Sequence, residues 1–117
     1  MLKDFKAYQL AKAFYQQSKG LRLPAHFKDQ LLRSSSSIAL NLAEAAGNRT
    51  QKEQLRAFTI ALGSLRESEA ILDLEDIKDP MILDLANQLG AILFKLCRIS
   101  KGSDSSRLQS QSSGSEL

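Results

Sequence analysis

Tryptophan is absent from this chain, cysteine and histidine occur once each, and proline occurs twice. Each scarcity removes a class of protein. A single cysteine, Cys97, forbids an intrachain disulfide and fits a reducing, cytoplasmic setting. Cys97 sits among Leu93, Phe94 and Leu96, the surroundings of a small core or interface residue. With His26 it offers two strong ligands, too few for a closed zinc site, so no metal is expected. Without a second histidine no hydrolytic triad can be built around another site, and there is no Gly-rich phosphate loop. No cofactor is expected either. Aromatic residues make up only 6% of the chain, which leaves Leu, Ile and Ala to fill a core. β-Branched residues are also scarce, and together with the few prolines this favours helices over strands.

What is present is ordinary for one globular domain: 117 residues, 43% hydrophobic and 25% charged. The apolar stretches are short and interrupted by charge, so neither a secretory leader nor a membrane span is expected. The net charge of +3 is uneven. Residues 1–69 carry 11 Lys/Arg and 6 Asp/Glu, and residues 70–117 carry 5 and 7. A basic first half suits an acidic partner such as RNA, although on charge alone a solvated surface of mixed sign is the simpler account.

Periodicity predicts four helices. The first spans 3–19, with Phe5, Tyr8, Ala11 and Tyr15 as its stripe, joined by Leu10 and Phe14, and Gly20 as its stop. The second runs from about Ala25 to Ala46. It follows Pro24, buries Phe27, Leu31, Ser34, Ser35, Ile38 and Leu42, and ends at Gly47-Asn48. The third begins after Thr50, with Glu53 completing a capping-box pattern, and extends to about Asp76. Gly63 in its middle costs about 1 kcal/mol of helix propensity, tolerable where another backbone packs close. The fourth opens at Asp79-Pro80, carries Ile82, Leu85, Leu89, Ile92, Leu96 and Ile99, and stops at Gly102. Short links between such helices give an all-α, antiparallel, up-down-up-down four-helix bundle over residues 1–102. Residues 103–117 form a Ser-rich, low-complexity tail with too few apolar groups to order on its own.

The most informative stretch is Arg33 to Arg49. Four consecutive serines, Ser34 to Ser37, lie inside a helical period and give that helix a small, polar middle. Arg33, Ser37, Asn41 and Glu44 fall on successive turns. This stretch resembles the signature of the 23S rRNA intervening-sequence proteins. In that family an Arg is followed by Ser-Ile, then Asn-Ile-Ala-Glu-Gly, then a further Arg. The matching residues are Arg33, Ser37-Ile38, Asn41-Leu42-Ala43-Glu44 and Arg49. The block from Phe58 to Glu67 resembles the family's Ala-x-Gly-Ser-x-x-Glu element, and Phe5 to Ala11 its first helix. Two departures stand out. Leu42 replaces Ile, and Ala45-Ala46 separates Glu44 from Gly47. The resemblance implies a four-helix bundle. It also implies kinship with accessory proteins of reverse transcriptases in diversity-generating retroelements, which form pentameric barrels. A homopentamer with RNA or a ribonucleoprotein partner is the expectation that follows.

The polar residues have two readings. Arg33, Ser37, Asn41, Glu44, Ser64 and Glu67 suit a hydrogen-bonded network where the second and third helices meet each other or a neighbouring subunit. Arg49, Lys52 and Arg56 cluster at a helix start, where backbone amides also favour phosphate, and are the candidate RNA contacts. Lys3, Lys6, Lys12, Lys19, Arg22 and Lys28 are further cations for phosphates, and Tyr8 or Tyr15 could stack on bases. Glu44, Glu67 and Glu69 invite a paired-carboxylate reading, but Arg33, Arg49 and Arg66 make ion pairing the simpler one. The chain reads as a non-catalytic, oligomeric scaffold. The alternative is a protein-interaction module without nucleic acid, for example an accessory subunit of a reverse transcriptase.

Overall fold

The computed structural model describes residue 2, residues 5–47 and residues 50–104, with no side-chain description for 102–104. Within them lie four helices and no strand: α1 (Lys6–Lys19), α2 (Ala25–Gly47), α3 (Gln51–Leu74) and α4 (Pro80–Asp104). Helix α1 packs against α2 and α4, and α3 packs against α2 and α4. Phe5 at the start of α1, Ala45 and Ala46 at the end of α2, Phe58 near the start of α3, and Leu96 and Ile99 near the end of α4 surround one hollow. The chain therefore reverses at every link, and the protein is an up-down-up-down bundle.

Local chemistry explains the boundaries. The Thr50 hydroxyl accepts from the Glu53 amide at 3.1 Å and caps α3. The Asp79 carboxylate accepts from the Met81 amide at 3.0 Å, and Pro80 is the first residue of α4. Lys28 donates its ammonium to the carbonyl of Leu21, tying the first link to the start of α2. Between α3 and α4 the chain turns through Asp76, whose φ of 54° is left-handed.

Phe14, Leu31, Ile38, Leu42, Leu65, Ile82, Leu89 and Leu93 are fully buried. Each such side chain contributes about 1.5–3 kcal/mol relative to exposure, so this core holds the bundle together without a large aromatic residue at every layer. Several expectations need correction. The buried stripe of α1 is Ala7, Ala11, Phe14 and Ser18, while Tyr8 and Tyr15 are only half-buried. Ala11 and Phe14 hold the centre of the buried face, and the tyrosines lie at its edge. Phe27 is half-buried, and Ala45 takes a core place on α2. Ile99 is exposed, whereas Ala86, Leu89 and Leu93 line the inner face of α4. Helix α4 does not stop at Gly102 but continues to Asp104, because glycine weakens a helix without terminating it. The tail beyond residue 104 lies outside the described residues. The apolar stretch of α4 is not short: Pro80–Lys101 is long and apolar enough to cross a membrane by length and composition. Here its apolar stripe packs into the bundle core through Ile82, Ala86, Leu89 and Leu93.

Candidate interaction face on helices α2 and α3

The seam between α2 and α3 is polar at its centre. The hydroxyls of Ser34 and Ser68 are 2.6 Å apart, and those of Ser37 and Ser64 are 2.8 Å apart. Residue numbers rise on one helix as they fall on the other, which fixes an antiparallel register. Serine fits because its side chain is short enough for two backbones to approach and its hydroxyl finds a partner within the seam. Asn41 donates from Nδ2 to the Ser37 carbonyl at 2.8 Å and to the Ser37 hydroxyl at 3.2 Å. The structure thus joins Ser37, Asn41 and Ser64 of the proposed network. Ser34 and Ser68 carry the most buried link, a pairing that local sequence does not disclose because it depends on the register between helices. Gln54 extends the seam by donating to the Ala45 carbonyl at 3.2 Å.

Arg33, Glu44 and Glu67 are not joined to this network. All three are exposed. Among the described residues, neither they nor Glu53 or Arg56 make a side-chain hydrogen bond or ion pair. The register explains why they nevertheless belong to one surface. Between the Ser37–Ser64 and Gln54–Ala45 contacts it sets Leu40 level with Ile60 and Glu44 with Arg56, and beside the Ser34–Ser68 contact it brings Arg33 within one helical turn of Glu67. Leu40 is 67% exposed and Ile60 42% exposed, a pair of large apolar side chains on the outer face. A cleft of about 330 Å³ lies there, lined by Asn41, Glu44, Glu53, Arg56, Ala57 and Ile60. Gly63 shares the outer surface of α3, so the close packing expected there is not supplied by this chain. A Cβ added to it meets nothing within 4 Å, because position 63 points away from the core.

Among the candidate RNA contacts, Lys52 and Arg56 are exposed on the first turns of α3, and Arg49 lies outside the described residues. So does Lys3. Arg56 shares its cleft with Glu44 and Glu53, so the local field is mixed rather than uniformly positive. Glu69 pairs with Arg66 at 3.2 Å and does not approach Glu44 as a paired carboxylate. His26 is exposed and stacks on Phe27, with ring centroids 4.3 Å apart. Cys97 is half-buried beside Thr59, and burial pushes its thiol pKa up.

The fold and this serine-zipped seam define a four-helix bundle with a polar helix pair on one side. The model of the family described as 23S rRNA-intervening sequence protein matches residues 5–92, and the chain belongs to that family. The match takes in all of α1, α2 and α3 and half of α4. No curated protein and no solved structure matches the chain significantly.

Proposed function

We propose that this protein is a non-catalytic helical scaffold of the cytoplasm that assembles into a homo-oligomer and binds RNA or a ribonucleoprotein. The observation that carries the scaffold reading is the outer face of α2 and α3. Leu40 and Ile60 sit exposed at one level, flanked by Arg33, Glu44, Glu53, Arg56 and Glu67, none of which is paired among the described residues. Exposed apolar side chains ringed by charges of both signs form the chemistry of a protein interface: a desolvated centre with a polar rim. A ring-shaped homopentamer is the assembly we propose, from the resemblance to barrel-forming accessory proteins alone. The RNA part is supported by the family's name and by the cations of the first half of the chain, with Arg49, Lys52 and Arg56 as candidate contacts.

The acids beside Arg56 favour a second reading, a protein-interaction module without nucleic acid. Two measurements test them, the first the assembly and the second the choice between the readings. Light scattering at micromolar concentration reports assembly, and a stable 12.9 kDa monomer would remove the oligomer. RNA crosslinked to the protein in its own cells, sensitive to nuclease and to salt, supports the first reading. Partners retained after nuclease, with no RNA recovered, support the second.

A further inference from the structure

The RNA reading leaves open which surface meets the polymer, and the structure points to a face other than the α3 start. From Phe5 to Lys28 the chain contains no Asp or Glu, yet it contains Lys6, Lys12, Lys19, Arg22 and Lys28. Helix α1 lies wholly within that stretch. Lys6, Gln9, Lys12, Gln16 and Lys19 are exposed along it. A shallow depression on this face is lined by Gln9, Lys12, Ala13, Gln16 and Gln17: one cation and three amides, with no carboxylate.

One flank of the helix adds a second feature. Tyr8, Lys12, Tyr15 and Lys19 recur at spacings of four, three and four, so they form a single stripe. The tyrosines are half-buried and the lysines exposed. The Lys19 ammonium sits 5.1 Å from the centre of the Tyr15 ring. Ring and cation alternate along the stripe, and the two rings are separated by about 10 Å of helix rise. A single-stranded nucleic acid presents the complementary alternation of base face and phosphate. Stacking on tyrosine needs bases released from a duplex, and amides beside lysine can meet base edges or phosphate oxygens. Lys28 is occupied by the Leu21 carbonyl and stands outside the stripe. We infer that the acid-free face of α1, centred on Tyr8, Lys12, Tyr15 and Lys19, is a track for single-stranded RNA. This inference rests on the RNA reading above and moves its centre away from Lys52 and Arg56.

The test measures fluorescence anisotropy of labelled oligouridylate, alone and as a duplex with oligoadenylate, over a range of salt. The full chain is compared with Lys12→Glu/Lys19→Glu, Tyr15→Leu and Lys52→Glu/Arg56→Glu, each checked for native helicity and elution. The parent should prefer the single strand. Lys12→Glu/Lys19→Glu should weaken binding and lower the salt slope by about 0.7 for each phosphate contact removed. Tyr15→Leu should weaken single-strand binding about tenfold while changing the salt slope little. Lys12 and Lys19 are exposed, so their variant keeps the test decisive even if Tyr15→Leu fails to fold. Parent-like binding by Lys12→Glu/Lys19→Glu, with loss confined to Lys52→Glu/Arg56→Glu, would overturn the α1 track and leave the RNA reading intact. No binding by the parent at low salt would remove the RNA reading and the track together. Binding to anionic vesicles in place of RNA would reassign the face to a membrane surface and overturn the inference. Equal affinity for duplex and single strand would overturn the assignment to unpaired bases.

Discussion

Ser34 on α2 and Ser68 on α3 share a hydrogen bond of 2.6 Å inside the bundle, and both residues are buried. The Ser68 hydroxyl also lies 3.0 Å from the Ser64 carbonyl. A hydroxyl has one proton. If Ser68 donates to that carbonyl, Ser34 must donate to Ser68, and the link has a direction. Ser68→Ala would then strip Ser34 of its nearer acceptor and leave it the Leu31 carbonyl at 3.3 Å. The expected loss is at the lower end of about 1–3 kcal/mol, the cost of an under-satisfied buried group. Removing both hydroxyls leaves no such group, so Ser34→Ala/Ser68→Ala should cost less than the two single changes combined. Urea unfolding of the four proteins measures the coupling. Strict additivity would show that the hydrogen bond contributes nothing to stability.

This pair also marks the boundary of what the sequence discloses. The period of apolar residues was enough to place four helices, and Thr50, Asp79 and Pro80 were enough to start two of them, because capping is decided by residues three or fewer apart. Ser34 and Ser35 were legible as part of the buried face of α2 for the same reason. That Ser34 meets Ser68, and Ser37 meets Ser64, depends on how two helices slide past each other. No local rule states that distance. The rotation of α1 was missed likewise. Ala11 was read correctly as buried, but Tyr8 and Tyr15 look more apolar than Ala7 and Ser18, which take the buried face instead. Gly63 faces away from this chain's core, and a small residue has the same signature whether a neighbour lies against it or solvent does. The charged rim of the candidate face was legible residue by residue. Its separation from the serine seam required the exposure of each side chain.

Gly63 now offers a test of what lies over it. It is exposed within α3, and a methyl group at that position meets no atom within 4 Å. Gly63→Ala should therefore raise the stability of the single bundle by about 0.5–1 kcal/mol through helix propensity and a less disordered unfolded chain. If a second copy packs its backbone over this position, the same methyl should weaken assembly. Thermal unfolding followed at several protein concentrations separates the two effects. A melting temperature raised equally at every concentration places Gly63 outside the interface.

Cys97 gives a pH dependence with a definite sign. Burial raises its pKa above the ordinary thiol value, while Thr59 and then Lys101 pull in the opposite direction. A group whose pKa is raised on folding stabilises the folded state below its unfolded pKa. That contribution fades as pH rises through the folded pKa. Stability should therefore decline in the alkaline range, beyond the ordinary thiol titration, and Cys97→Ser should flatten the decline. Alkylation of the folded protein should also be slower at neutral pH than that of a free thiol, since the thiolate is the nucleophile. Rapid modification without unfolding would contradict the burial of this side chain.

Leu40 and Ile60 decide between a bare surface and an interface. Both are exposed, and neither belongs to the buried core cluster. Exchanging each for serine removes apolar area from solvent contact without opening a cavity, so the stability of an isolated bundle should change by no more than about 0.5 kcal/mol. In an assembly the same residues would be the desolvated centre of the contact, where truncation costs most. The charged rim of Arg33, Glu44, Arg56 and Glu67 would then lose the dry centre that strengthens its pairing across copies. Leu40→Ser/Ile60→Ser should therefore dissociate the oligomer at concentrations where the parent remains assembled, with helicity preserved. Sedimentation velocity of parent and variant over a dilution series provides the measurement. Identical sedimentation, with the parent assembled, would place the subunit contact elsewhere on the bundle. The exposed Met81, Phe94 and Ile99 of α4 would be the next residues to exchange.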